Sequence, residues 1–313
     1  MTNLPEPKGD APREISYAFS AKSRAGKVVI RAIENLTGRI GLIRMALGYE
    51  KEVSAGRDFW EVMTERYKLN VDVEGIENIP ADKPLIVVAN HPYGILDGMA
   101  LGRILSETRG DFRIVANNVF HRSEELSRII LPIDFEDSKA ARKINLETRR
   151  EALSFLADGG TVGIFPGGTV STARRPFGEP RDPVWRSFTA RLVARSDAVV
   201  VPIYFHGANS RLFQIASHVH DTLRVALLIK EFGKRVGGDV KATIGKPISR
   251  DEIDALASDS AALMDLLRDK TYRLSPEPMP RLSYGKDWDP VLANRRHPLD
   301  PAERERKRRR RAA

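Results

Sequence analysis

The sequence of 313 residues contains no cysteine. That absence removes disulfides, thiolate nucleophiles, cysteine-ligated metals and any thioester on the protein itself, and it is compatible with a reducing compartment. Apolar runs are short as well: none approaches the roughly eighteen residues of a membrane-crossing helix. The opening stretch, MTNLPEPKGDAPREI, lacks the basic-then-apolar pattern of a secretory leader. A cytoplasmic protein is expected.

What remains is an ordinary globular composition, 42% hydrophobic and 30% charged, in a chain long enough to bury a sizeable core. The net charge of +9 is unevenly placed. Arg295–Arg311 holds nine basic residues against Asp300, Glu303 and Glu305, which leaves +3 for the rest. Such a tail is a solvated end, or is drawn to anionic lipid headgroups or nucleic acid. Without interleaved aromatics or a base-reading motif, nucleic acid is not expected as a partner.

Four regions are expected: a loose polar arm at 1–20, an amphipathic helical region at 21–66, an α/β domain at 67–275, and a proline-bearing segment with the basic tail at 276–313. In the second region Val29, Ile33, Leu36, Ile40, Ile43 and Leu47 recur at helical spacing, with six Lys or Arg against Glu34 across residues 21–47. This stripe either packs on the protein's own core or lies on an anionic membrane surface. From residue 67 the pattern changes. Strand-like runs at 67–74, 84–90, 112–116, 131–135, 161–165, 198–205 and 240–245 enclose helical patterns at 98–109, 138–157 and 185–195, with closing helices over 250–274. Strands alternating with helices predict an α/β fold with a mainly parallel central sheet flanked by helices. No internal repeat is found.

Ligands of such sheets gather beyond the carboxyl ends of the strands. His91 follows the apolar run PLIVVAN directly, and Asp97 opens the next helical pattern, with Pro92 and Gly94 forcing a tight turn between them. An Asp that accepts from one imidazole nitrogen fixes the tautomer and leaves the other nitrogen as a proton acceptor. The bland alternative is a helix N-cap beside a turn histidine. A second glycine-rich turn, TVGIFPGGTVSTARR, places Phe165, Pro166, Gly167, Gly168, Thr169 and Ser171 after a strand, with Arg174 and Arg175 beyond. Glycines let backbone N–H groups approach an anion and arginines add charge, a plausible cradle for phosphate or a headgroup. It is neither a P-loop nor a dinucleotide fingerprint. His218 and His220 lack a clear third ligand and read as surface polarity, His121 and His206 as structural, so no metal is expected. A lipid-ester hydrolase would need a GxSxG nucleophile turn, which is absent.

At these residues the sequence resembles the glycerolipid acyltransferases. NHPYGILDG, ILPIDF, IFPGGTVST and VVPIYF are similar to that family's four blocks, in the family's order, and the continuation FHGANSRLFQIASHVHDTLRVALLIKEF resembles its hemolysin-type, lyso-ornithine-lipid branch. The likeness spans about 60–275. It implies acyl transfer from acyl-CoA or acyl carrier protein, as co-substrate, to a lysolipid acceptor, with no other cofactor. It further implies His91 as general base, Asp97 as its orienting partner, and the 165–171 turn as substrate-binding. A lipid substrate implies peripheral attachment to the membrane's inner face. The pattern also departs from the family. His91 and Asp97 are separated by five residues rather than four; Gly167 and Val170 stand where Glu and Arg are common, and Phe135 where Arg is common. Arg142, Arg149 and Arg174 are candidates to supply the missing charge. A non-catalytic lipid-binding protein is the reading these departures leave open.

Overall fold

The computed structural model describes residues 16–18, 21, 23–117, 124–134, 138–277, 283–289 and 291–293. The basic tail, Phe135, His121 and most of the polar arm lie outside the described residues. Seven strands are seen: β1 (Asn70–Glu74), β2 (Leu85–Ala89), β3 (Arg113–Asn117), β4 (Ile130–Ile133), β5 (Thr161–Ile164), β6 (Val199–Phe205) and β7 (Asp239–Ile244). They form one sheet in the order β1-β7-β6-β2-β5-β3-β4. Neighbours run parallel except at β6 and β7, which pair antiparallel. The expected mainly parallel α/β sheet is therefore present. Central β2 is buried at every position, which is why its sequence runs apolar without alternation. Edge strand β1 is nowhere fully buried.

The helices are α1 (Arg24–Leu36), α2 (Arg39–Ala46), α3 (Tyr49–Ser54), α4 (Phe59–Arg66), α5 (Ile95–Arg109), α6 (Glu124–Ile129), α7 (Lys139–Ala157), α8 (Ser187–Val193), α9 (Arg211–Val219), α10 (Asp221–Gly233), α11 (Arg250–Asp254) and α12 (Ser260–Tyr272). Alternate residues of β2 point into two separate cores. Leu85, Val87 and Ala89 join Trp60, Leu101, Leu105 and Phe232 from α4, α5 and α10. Ile86 and Val88 join Leu156, Leu192 and Leu267 from α7, α8 and α12. Helices thus cover both faces, and only the strand ends remain for chemistry.

In the N-terminal region most of the expected stripe does not pack on the protein's own core. Gly38, at φ 114°, breaks the helix between α1 and α2 and shifts its phase. Ile30, Glu34, Leu42 and Ala46 face inward, while Val29, Leu36, Ile40 and Leu47 stay exposed, Leu36 by 86%. Glu34 turns inward because it has partners there: its carboxylate accepts from Ser16 Oγ at 2.5 Å and from the Tyr17 N–H at 2.6 Å. Residues 16–18, expected within a loose arm, are consequently pinned, with Ala18 packed against Ile30 and Ala226.

Two glycines of α5 give opposite expectations. A methyl at Gly98 meets nothing within 4 Å, whereas one at Gly102 falls 2.3 Å from the Trp60 ring. Gly98→Ala should gain the helical preference of alanine, about 0.5–1 kcal/mol. Gly102→Ala should lose stability, since overpacking costs about 1–3 kcal/mol. Denaturant midpoints at unchanged m-value will show shifts of opposite sign.

Candidate functional site

The site grows from the carboxyl end of β2. Asn90 locks that end to β6, donating to Phe205 O at 2.9 Å and accepting from Phe205 N at 2.7 Å. The chain then turns sharply through Gly94, at φ 95° and ψ −119°, a conformation that only glycine adopts without strain. Asp97 sits in the first turn of α5, fully buried. Its Oδ2 accepts from the N–H groups of Tyr93 and Gly94, at 2.8 and 2.9 Å. Negative charge is favoured at that helix end.

The same Oδ2 lies 3.0 Å from His91 Nδ1. The separation is that of a hydrogen bond, while the N–H direction falls short of one, so a small ring rotation completes the alignment. Such loose geometry is common before substrate is bound. The five-residue spacing between the two residues brings them together across the turn. His91 keeps 19% of its side chain exposed, and among the described residues nothing bonds its Nε2. The pair can therefore hold the imidazole with Nδ1 protonated and Nε2 free to accept a proton.

Because β5 pairs directly with β2, the 165–171 turn meets the 91–94 turn. Phe165 stacks on His91 with ring centroids 4.3 Å apart. Pro166 O accepts from Arg186 N, the Gly168 N–H closes the turn on Phe165 O, and the Ser171 N–H donates to His91 O at 2.7 Å. Ser171 Oγ donates to Asp182. Thr169 Oγ1 accepts from Arg224 at 2.7 Å. His91, Asp97, Phe165, Pro166, Gly167, Gly168, Thr169 and Ser171 thus form one cluster. Arg142 and Arg174 do not join it: Arg142 is exposed on the first turn of α7, and Arg174 extends to Ala293 O. Arg149 stacks on Phe188 in the α7–α8 layer.

Three residues absent from the sequence reading complete the cluster. Asp182, fully buried, accepts from the His91 N–H, Ser171 Oγ and Trp185 Nε1. Its carboxylate covers Gly167, where a Cβ would come within 3.4 Å, so an acid stands over the position at which the glutamate is lacking. Arg224 reaches the turn from α10, and the Tyr17 phenol oxygen, Oη, lies close to Gly94. None of the three carries a local signal, since each is separated from both blocks in the chain. The two histidines read as surface polarity, His220 exposed and His218 half-buried, also have partners. His218 Nε2 contacts Ala173 O at 2.9 Å, and the His220 ring caps α10 by accepting from Thr222 N.

The N–H of Gly94 is taken by Asp97 and is not left for an oxyanion. Among the described residues the backbone N–H groups of Gly167, Thr169 and Val170 have no acceptor.

Burial pushes the Asp97 carboxyl above its ordinary value, against the pull of His91 and the N–H groups of Tyr93 and Gly94. With a folded value above the unfolded one of about 3.9, the folded state holds this proton more tightly. The linked stability is complete below about pH 3.9 and is lost as pH rises through the raised value. Asp97→Asn cannot ionise, so its unfolding midpoint should exceed wild type at pH 7 and converge on it toward pH 4. Thermal unfolding across that range checks this; a variant less stable at pH 7 would contradict it.

The chain is similar to several known proteins. The solved 1-acyl-sn-glycerophosphate acyltransferase of Thermotoga maritima, PlsC, is 19% identical, with a TM-score of 0.42, covering 84% of this chain and 87% of that one. A lyso-glycine lipid O-acyltransferase of Phocaeicola vulgatus is 29% identical over 226 residues, 70% of this chain and 78% of that protein. One of the same description from Bacteroides thetaiotaomicron is 28% identical over 232 residues, covering 72% and 82%. The acyltransferase family profile matches residues 41–277, and a match over that much of the sequence, spanning the whole sheet and both turns, makes this chain a member of the acyltransferase family.

Proposed function

We propose that this lipid acyltransferase moves a fatty acyl group from acyl-CoA or acyl carrier protein to the hydroxyl of a lysolipid, with a lyso-amino-acid lipid as the favoured acceptor. The observation that carries the reading is the His91–Asp97 pair set against the glycine turn at 165–171, with Nε2 unbonded. A lipid hydroxyl is a poor nucleophile at neutral pH. His91 Nε2 takes its proton as the oxygen attacks the thioester carbonyl carbon. The C–S bond then breaks, and the proton passes from the imidazolium to the departing thiolate. Asp97 stabilises the imidazolium and holds its orientation, and the N–H groups of Gly167, Thr169 and Val170, for which the described residues supply no acceptor, are the candidate donors in the turn for the developing oxyanion. The acceptor class draws on the relatives' substrate, a lyso-glycine lipid.

His91→Ala should lower kcat by about 10²–10⁴, the usual contribution of a positioned base. Purified protein assayed with a thioester donor and a panel of lysolipids checks this. Transfer undiminished in His91→Ala refutes the mechanism. No transfer by wild type across the panel favours a non-catalytic lipid-binding role, and release of free fatty acid from a lipid ester favours a hydrolase.

The same reading places the chain peripherally on the cytoplasmic face of the membrane. No helix among the described residues is long and apolar enough to cross a membrane. The support for attachment is the outward apolar face of α1 and α2, with Val28 69% and Leu36 86% exposed and Arg24, Lys27 and Arg31 on the same helix. A basic amphipathic helix of this kind lies in the interface of an anionic bilayer. Val28 and Leu36 support no core, so replacing both with serine should spare folding. Burial of such a side chain contributes about 1.5–3 kcal/mol, so flotation with phosphatidylglycerol vesicles should fall at least about tenfold. Undiminished flotation would remove this attachment.

A further inference from the structure

Arg224 is the least explained charge near the site. It projects from α10 and is only 8% exposed. Nη2 donates to Thr169 Oγ1 at 2.7 Å and Val170 O at 3.3 Å. The guanidinium lies 4.2 Å above the Trp288 ring and 5.7 Å from that of Phe213. Nε is buried and has no hydrogen-bond partner. No carboxylate among the described residues comes within ion-pair distance of it. The acid whose charge acts most on the guanidinium is Asp221, whose Oδ1 accepts from Trp288 Nε1. A second cation, Lys286, sits 5.1 Å from the same indole ring. Around the Trp288 ring the described residues therefore place two cations, Arg224 and Lys286, and one carboxylate, Asp221.

A buried charge without a counter-ion is costly to keep. Burial pushes the Arg224 guanidinium down to about 10, so it stays cationic at neutral pH. Its location indicates what would complete it. Thr169 belongs to the turn whose Ser171 bonds His91. Leu228, one helical turn after Arg224 on α10, closes on Gly94 beside Val170 and Tyr17. The unmatched guanidinium and the proton-accepting imidazole thus meet the same turn from two sides.

We propose that Arg224 anchors the anionic group, carboxylate or phosphate, of the lysolipid acceptor and so selects acidic headgroups. This rests on the acyl-transfer reading above. Val170 brings no charge to the turn, and α10 delivers it instead. The planar donor fork of arginine suits two-oxygen anions better than an ammonium does.

The test uses the full chain, as wild type, Arg224→Gln and Arg224→Lys, with palmitoyl-CoA as donor. Three acceptors of matched acyl length are compared: a lyso-glycine lipid, lysophosphatidic acid and neutral monoacylglycerol. In Arg224→Gln the preference in kcat/KM for either anionic acceptor over the neutral one should fall at least about tenfold. That loss should appear in acceptor KM and not in donor KM, and Lys should restore part of it. An equal loss for all three acceptors overturns the proposal in favour of a clamp on the turn. A rise confined to donor KM overturns it by assigning the anion to the thioester carrier.

Direct binding separates this inference from the reaction. N-dodecanoylglycine and inorganic phosphate are titrated against wild type, following tryptophan emission, with Trp288→Phe as control. Saturable change with N-dodecanoylglycine that requires both Arg224 and Trp288 supports the headgroup site, even if no acceptor is turned over and the reaction assignment fails. Equal affinity for phosphate alone would mark a site for the free ion and overturn the proposal. No saturable change in wild type overturns it too, whether or not Arg224→Gln folds.

Discussion

The arrangement depends on one buried carboxylate. Asp97 has no solvent contact, yet it ties together three groups: the N–H of Tyr93, the N–H of Gly94 and the imidazole of His91. Removing a carboxylate from water is unfavourable, and the raised protonation tendency of Asp97 records that cost. The return is geometric. A turn that only a glycine can make without strain is held at one setting, and the imidazole above it is kept within 3.0 Å of the same carboxylate. Stability given up in the first turn of α5 is balanced by packing elsewhere, where β2 is buried on both faces. Sites that keep reactive groups in place commonly show this exchange of stability for organisation.

Around that carboxylate the molecule assembles a site from segments distant in the chain. Strand pairing brings the 91–94 and 165–171 turns side by side, and the Ser171 N–H to His91 O bond fastens them. Asp182 then binds both turns at once, through the His91 N–H and Ser171 Oγ, and is itself held by Trp185. Above it, Arg268 stacks on Tyr272 and Tyr284 and donates to Asp182 O and Ser283 O, which secures the segment at 283–289. That segment carries Trp288 to Arg224. The departures at Gly167 and Val170 are therefore not simple vacancies: a carboxylate from residue 182 and a guanidinium from residue 224 occupy the neighbourhood.

Much of this was legible because burial leaves a plain mark on a parallel sheet. All seven strands fall on strand-like runs seen in the sequence, β1 on an alternating one and the others on apolar ones, and His91 and Asp97 stand out because they interrupt such a run at its end. Other features left no mark. Asp182 lies in RDPVW and Arg224 in HDTLRVALL, stretches in which a charged residue reads as solvated surface. Their importance arises only when tertiary contacts bury them. Which way the α1 stripe faces is left open by the sequence for a related reason. Spacing alone identifies an apolar face, but the inward face is set by Glu34, which has hydrogen-bond donors from residues 16 and 17 waiting for it, and by the break at Gly38. Arg174 adjoined the right turn in sequence yet extends away from it, toward Ala293.

The central claim concerns the proton on one ring. If Asp97 holds Nδ1–H, His91 must present an unprotonated Nε2 to the acceptor. Nitrogen-15 NMR of the imidazole in full-length protein, at a pH where the ring is neutral, reads this tautomer directly. The account predicts Nδ1 protonated and Nε2 bare, with that preference lost in Asp97→Ala. A proton resident on Nε2 in the wild-type protein would contradict it.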